Sequence, residues 1–182
     1  TSTLWLAKKK KIYIKGIDIS EEMITKAIQK RNDLLENNRI NGKVDFAVQD
    51  ITQRYCDKML YEKIISKRAI INLTNWDMQL KAIRSLSQFL KRDGLIVLVE
   101  DSIQSWKKLN ELRSEWGLEE IPVPWHNQYI DEDKIINETK DIFELIEIRD
   151  FCSTYYIGSR FVQPLLLKLL NIDREPQYEA KI

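Results

Sequence analysis

The chain has 182 residues, 43% hydrophobic and 31% charged, the proportions of an ordinary soluble globule long enough to bury a proper core. Its 29 Lys and Arg against 28 Asp and Glu leave a net charge of +1, with no basic block beyond Lys8–Lys11 and so no electrostatic footprint for nucleic acid. Cys56 and Cys152 stand far apart without a C-x-x-C pair, and no apolar run approaches the ~20 residues that span a bilayer. A soluble, cytoplasmic protein with no signal peptide, disulfide framework or zinc site is therefore expected.

Thr1–Lys9 reads as a helix already under way, with Lys8–Lys11 as its solvated end. Ile12–Asp18 alternates as a strand does. Ser20 is a good N-cap, and Glu21 and Glu22 then fall in the first turn, where the helix dipole favours them. That helix carries Met23, Ile24, Ala27, Ile28, Leu34 and Leu35 on one face and runs to about Arg39. Asn41-Gly42 turns the chain into a second strand, Val44–Val48, and a loop through Tyr55 to Leu60 leads to a third, Lys63–Ser66. Thr74 or Asn75 caps the next helix, with Trp76, Leu80, Ile83, Leu86 and Leu90 about a turn apart.

Arg92–Gly94 reads as a turn, and Leu95–Glu100 is an unbroken apolar run of the kind found in strands covered on both faces. A helix over Ile103–Trp116, a loop with two prolines and a short helix from Asp131 follow. Phe143–Phe151 and Thr154–Val162 both read as strands with no helix between them, so they are expected to pair antiparallel. The tail beyond Tyr178 is expected to fray. Alternating strands and helices predict an α/β fold over 1–182, a doubly wound, mostly parallel sheet with helices on both faces, closed by that antiparallel pair. No internal repeat or low-complexity linker divides the chain, which reads as one domain.

An acid at the tip of a strand, followed at once by a helix, is how nucleotide-binding sheets hold a ribose. Asp18 has that placement, but the glycine-rich loop that normally lies about 20 residues earlier has no counterpart, since no Gly precedes Ile12. Asp50 stands similarly after Val48. The simpler readings are a helix-flanking acid for Asp18, a turn acid before Ile51-Thr52 for Asp50, and a plain cap for Ser20.

These stretches together resemble class I S-adenosylmethionine (SAM)-dependent methyltransferases. Gly16-Ile17-Asp18-Ile19-Ser20-Glu21-Glu22-Met23 is similar to the family's second-strand motif, whose acid binds both ribose hydroxyls of SAM. Val44 through Asp50-Ile51 resembles its third-strand motif, whose acid faces the adenine amino group while the next residue packs on the ring. Lys63-Ile64-Ile65-Ser66-Lys67-Arg68-Ala69 falls where the fourth strand opens toward cofactor and acceptor. Leu90-Lys91-Arg92-Asp93-Gly94 resembles the turn before strand five but has Arg-Asp where Pro-Gly is usual. The closing antiparallel pair would suit the family's reversed last strand. The resemblance implies SAM as cofactor, with Asp18, Ile19, Ser20, Met23, Asp50, Ile51 and Ser66 against it. It also implies a first strand and glycine-rich loop ahead of Thr1. The expectation is that the natural protein carries them, or that something else fills their place in the sheet.

The acceptor side is less marked. His126 is the sole histidine, in Pro124-Trp125-His126-Asn127, and its ordinary pKa suits a base. Glu100 and Asp101, at the tip of the strand Leu95–Glu100, are rival bases. Arg68 is placed to orient an anionic acceptor or to make a surface ion pair. Trp125, Tyr129, Tyr155 and Tyr156 are candidates to stack on an acceptor, with core packing as the plainer alternative. No carboxylate–histidine cluster suggests a metal. The expected function is methyl transfer from SAM to a small molecule, such as an oxygen of a sugar or polysaccharide precursor. No nucleic acid or membrane partner is expected. The alternatives are a non-catalytic nucleotide-binding or scaffold module on this fold, or an NAD-dependent oxidoreductase, since an acid after strand two also holds NAD ribose.

Overall fold

The computed structural model describes residues 2–53 and 59–173. Cys56, most of the loop from Tyr55 to Leu60, and the tail beyond Tyr178 lie outside the described residues. The chain forms two compact units, Thr1–Asp57 and Lys58–Ile182.

The first unit runs α1 (Ser2–Lys9), β1 (Tyr13–Asp18), α2 (Glu21–Glu36), β2 (Lys43–Val48). α2 begins where its cap predicts: Ser20 Oγ accepts from the Met23 amide at 3.2 Å, and Glu21 and Glu22 occupy the first turn. β1 and β2 pair parallel, from Tyr13 opposite Lys43 to Asp18 opposite Val48, as a helix-length crossover requires. Leu4, Ala7, Leu34 and Val44 are buried together, with Ile14, Ile40 and Phe46 packed against them. Gly42 lets the chain enter β2 closely: a Cβ there would run into the Ile12 carbonyl oxygen, and the Gly42 amide donates to Ala7 O at 3.1 Å.

The second unit opens with β3 (Tyr61–Lys67), a 3-10 turn (Ile70–Asn72), α3 (Trp76–Ser87) and β4 (Leu90–Val99). It continues with α4 (Ile103–Glu115), α5 (Glu132–Thr139), α6 (Thr154–Ile157), a π-helical turn (Gly158–Val162) and α7 (Gln163–Leu169). Asn75 caps α3 by accepting from the Met78 amide at 2.9 Å, and Asp131 caps α5 by accepting from the Lys134 amide at 3.2 Å. β3 and β4 are parallel, from Lys63 opposite Leu95 to Lys67 opposite Val99. The turn expected at Arg92–Gly94 lies inside β4. Tyr61 faces Leu90 and Lys63 faces Leu95, so the extra residues bulge out, with Asp93 at φ 62°. Ile70, Ile71, Ala82, Ile83, Leu86, Leu109 and Ile130 are buried.

The expected antiparallel pair at the C-terminus does not form. Thr, Tyr and Ile favour strands on propensity, but Ser153 accepts from the Tyr156 amide at 3.0 Å and starts a helix. That helix continues through Thr154–Val162 and accommodates Pro164 by widening to a π turn. Proline has no N–H to give the carbonyl four residues back, and the guanidinium of buried Arg113 donates to that Arg160 oxygen instead. Phe143–Phe151 is without strand pairing, and its charged groups bind neighbours, Asp150 with Lys108 and Glu147 with Arg149. Among the described residues, no helix is long and apolar enough to cross a membrane.

Candidate functional site

In the first unit, Asp18 is the last residue of β1, and its carbonyl accepts from the Gln49 amide at 2.8 Å just beyond β2. The two strand tips therefore end side by side. Asp18 is exposed, and its Oδ1 accepts from the Ser20 amide at 2.9 Å, two residues on. Ile19 and Met23 stand beside it, 70% and 49% exposed, an apolar surface next to a carboxylate. Asp50, two residues past β2, accepts at Oδ1 from the amide of Thr52 at 2.8 Å and from its hydroxyl at 2.7 Å. Thr52 is buried and Ile51 half-buried. Two carboxylates on adjacent parallel strand tips can accept from two donor groups of one ligand, with Ile19, Met23 and Ile51 offering contact to its flat parts.

In the second unit the tip of β4 is arranged differently. Glu100 Oε1 accepts from the Ser66 hydroxyl at 2.7 Å and from the amides of Ala69 and Ile70 at 3.2 and 3.3 Å, while Oε2 accepts from the Ile71 amide at 3.3 Å. One carboxylate thus gathers the whole 3-10 turn after β3. Ser66, expected against the cofactor, is buried, and its hydroxyl donates a hydrogen bond to Glu100.

Arg68, at φ 52° between β3 and the turn so held, pairs its guanidinium with Asp101 at 3.0 Å. Gln79 of α3, fully buried, donates to both Ile70 O and Gln128 O, at 3.2 and 2.7 Å. Tyr129 is pinned on both sides: the Gln128 amide donates to Ile71 O at 2.8 Å and the Ile130 amide to Asp101 O at 3.0 Å. Burial pushes the Tyr129 hydroxyl up to about 12, with Asp101 adding to the shift and Arg68 and Arg160 opposing it. Burial also raises Tyr156, on which Asp101, Arg68 and Arg160 act as well, and the Arg160 guanidinium lies 5.5 Å from its ring centre. Arg68, Asp101, Tyr129, Tyr156 and Arg160 thus form one cluster beyond the carboxyl ends of β3 and β4.

Trp125 and His126 precede Asn127, whose side-chain amide donates to Asn72 Oδ1 at 2.9 Å in the turn after β3. Both are exposed, Trp125 at 92%, and their rings meet edge to face with centroids 5.3 Å apart. Arg160, Gln79 and Arg113 were not anticipated from sequence. Arg160 was hidden by reading its helix as a strand; the signal that exposes it is Ser153 as a cap, with Tyr156 and Arg160 one turn apart.

No protein-family model and no curated protein matches the sequence. Solved structures do. A SAM-dependent methyltransferase from Methanosarcina mazei superposes with a TM-score of 0.59 at 16% identity, over 84% of this chain and 80% of that one. A SAM-dependent methyltransferase from Clostridium acetobutylicum (TM-score 0.43, 21% identity) is matched over 59% of this chain and 39% of its own length. The YcgJ protein from Bacillus subtilis (TM-score 0.46, 16% identity) is matched over 70% and 50%. The Methanosarcina likeness shows the fold: this chain has the α/β fold of class I SAM-dependent methyltransferases.

Proposed function

We propose that the chain binds SAM and moves its methyl group to a small-molecule acceptor, an oxygen such as that of a sugar or polysaccharide precursor. The observation that carries this reading is the pair of acids, Asp18 and Asp50, ending adjacent parallel strands in a fold shared with SAM-dependent methyltransferases. The residues present suit the nucleoside. Asp18 is exposed and would accept from ribose hydroxyls, Asp50 would accept from the adenine amino group and Ile51 would pack on the ring, with Ile19, Ser20 and Met23 lining the approach.

SAM, when bound, supplies a methyl carbon already activated by a sulfonium, so the chain's task is to align two reactants. Arg68 and Tyr129 orient the acceptor, with Trp125 as a flat surface beside it. His126 is the candidate base that takes the acceptor hydroxyl proton as the oxygen attacks. Glu100, a candidate base by its strand-tip position, serves instead as the anchor of the turn that follows Arg68, because its oxygens are engaged by four donors. The wide separation of the two cysteines in sequence suits a reducing compartment, and we place the protein in the cytoplasm.

Calorimetry with SAM, its demethylated product and NAD tests the reading. Binding of the first two and not of NAD is expected. NAD binding alone would make the chain an oxidoreductase, and silence toward all three would make it a scaffold.

A further inference from the structure

Gln79 stands where helix packing asks for an apolar side chain. It shares the buried face of α3 with Ala82, Ile83 and Leu86 and is itself fully buried. Its side-chain nitrogen is used twice, donating to Ile70 O in the turn after β3 at 3.2 Å and to Gln128 O at 2.7 Å. Its Oε1 accepts from none of the described residues. A buried acceptor without a donor costs stability that an apolar side chain of the same shape does not. What the glutamine adds in return is a link between two distant segments.

The segment it reaches is a strap, Asn127–Ile130. The Gln128 amide donates to Ile71 O at 2.8 Å, so both backbone polar groups of Gln128 are held. Asn127 Nδ2 donates to Asn72 Oδ1 at 2.9 Å. At the other end, the Ile130 amide donates to Asp101 O at 3.0 Å, and Ile130 O accepts from the Ile103 amide at 2.9 Å. The strap thus joins the turn of Ile70–Asn72 to the start of α4, and Gln79 clamps it to that turn from α3.

We infer that Gln79 is a positioning residue, which fixes Tyr129 and the loop carrying Trp125 and His126 for the methyl acceptor by tying the Gln128 carbonyl to that of Ile70. A neutral amide has two hydrogens for two carbonyls, whereas a serine has one and a lysine or arginine would bury a charge. The acceptor role rests on the transferase reading above; the clamp itself does not.

The test compares the full parent chain with Gln79→Met, which matches the glutamine in length and removes both hydrogens and the orphaned oxygen. Folding stability by urea unfolding is expected to stay at the parent level or rise. Hydrogen exchange at the Gln128 amide is expected to quicken about tenfold, the scale of one buried hydrogen bond, while the β3 and β4 amides keep the parent rate. The Tyr129 phenol is expected to titrate below the parent's value of about 12, toward 10. A merely structural glutamine predicts a different pattern: a lower unfolding midpoint, faster exchange throughout β3 and β4, and Tyr129 unmoved. That pattern, or parent-like exchange at Gln128, would overturn the inference. One reading needs no variant. Both side-chain amide protons of Gln79 are expected to exchange slowly in the parent, and exchange as fast as that of an exposed glutamine would sink the clamp. SAM calorimetry on the parent separates this inference from the reading beneath it. SAM binding without the strap response sinks the positioning role alone. A strap response without SAM binding sinks the transferase reading, and with it the acceptor that Tyr129 would meet.

Discussion

Asp18 and Glu100 occupy equivalent stations, each at the carboxyl end of a strand that leads into a loop and helix, one in each compact unit. Asp18 bonds only its immediate neighbourhood, the amide two residues on, and stays exposed. Glu100 draws four donors from 29 to 34 residues away. A strand-tip acid is therefore no single kind of feature. Where distant donors converge on it, it builds the loop beside it; where only local backbone reaches it, it keeps bonding capacity for a ligand. Asp101, one residue past Glu100, lies between these cases, its carboxylate paired with Arg68.

The contrast can be broken first at Glu100. Glu100→Ala strands the hydroxyl of buried Ser66 and three amides, two of them on buried Ile70 and Ile71, so the loss of folding stability is expected at about 3 kcal/mol by urea unfolding. Glu100→Gln, which keeps an acceptor oxygen, is expected to lose clearly less. An alanine variant as stable as the parent would make Glu100 equivalent to Asp18 and dissolve the distinction. In the first unit, Ser20→Ala removes only a cap, and a smaller loss of about 1 kcal/mol is expected in the same assay.

The smallest effect, invisible at neutral pH, sharpens the account of the second unit. Tyr129 has a folded pKa raised from 10.0 to about 12, so its contribution to stability is fully present below pH 10 and is lost as pH rises through about 12. Phenolate absorbance should show late tyrosine ionisation, to which Tyr156 also contributes, and Tyr129→Phe should remove its last part, near pH 12. Ionisation of every tyrosine near pH 10 would place Tyr129 outside the half-buried cluster.

What was legible in the sequence was mostly local. Ser20, Asn75 and Asp131 cap the helices their positions predict, because a cap bond reaches only three residues along the chain. The alternation of strands and helices was legible for the same reason. The strand of Leu95–Glu100 was found, but not its beginning at Leu90, since Arg92–Gly94 has turn chemistry and only pairing with β3 keeps it inside the strand. Thr154–Val162 misled because its β-favouring side chains outweigh a single cap serine on propensity, while the decisive partner, Arg113, is remote in sequence. The placement of Asp18 and Asp50 beside the tips of β1 and β2 was legible, because it follows from the strand pattern alone. Glu100 was seen as an acid but not as an anchor, and Arg160 was not seen at all.

The central claim is that the Asp18 carboxylate holds the ribose of SAM. Titrating SAM into the parent chain and into Asp18→Ala, with unfolding midpoints measured on both, addresses it directly. Affinity is expected to fall at least about tenfold, the worth of a charged hydrogen bond, with the midpoint nearly unmoved because the carboxylate supports only one exposed amide. Parent-like affinity in a folded Asp18→Ala variant would contradict the account.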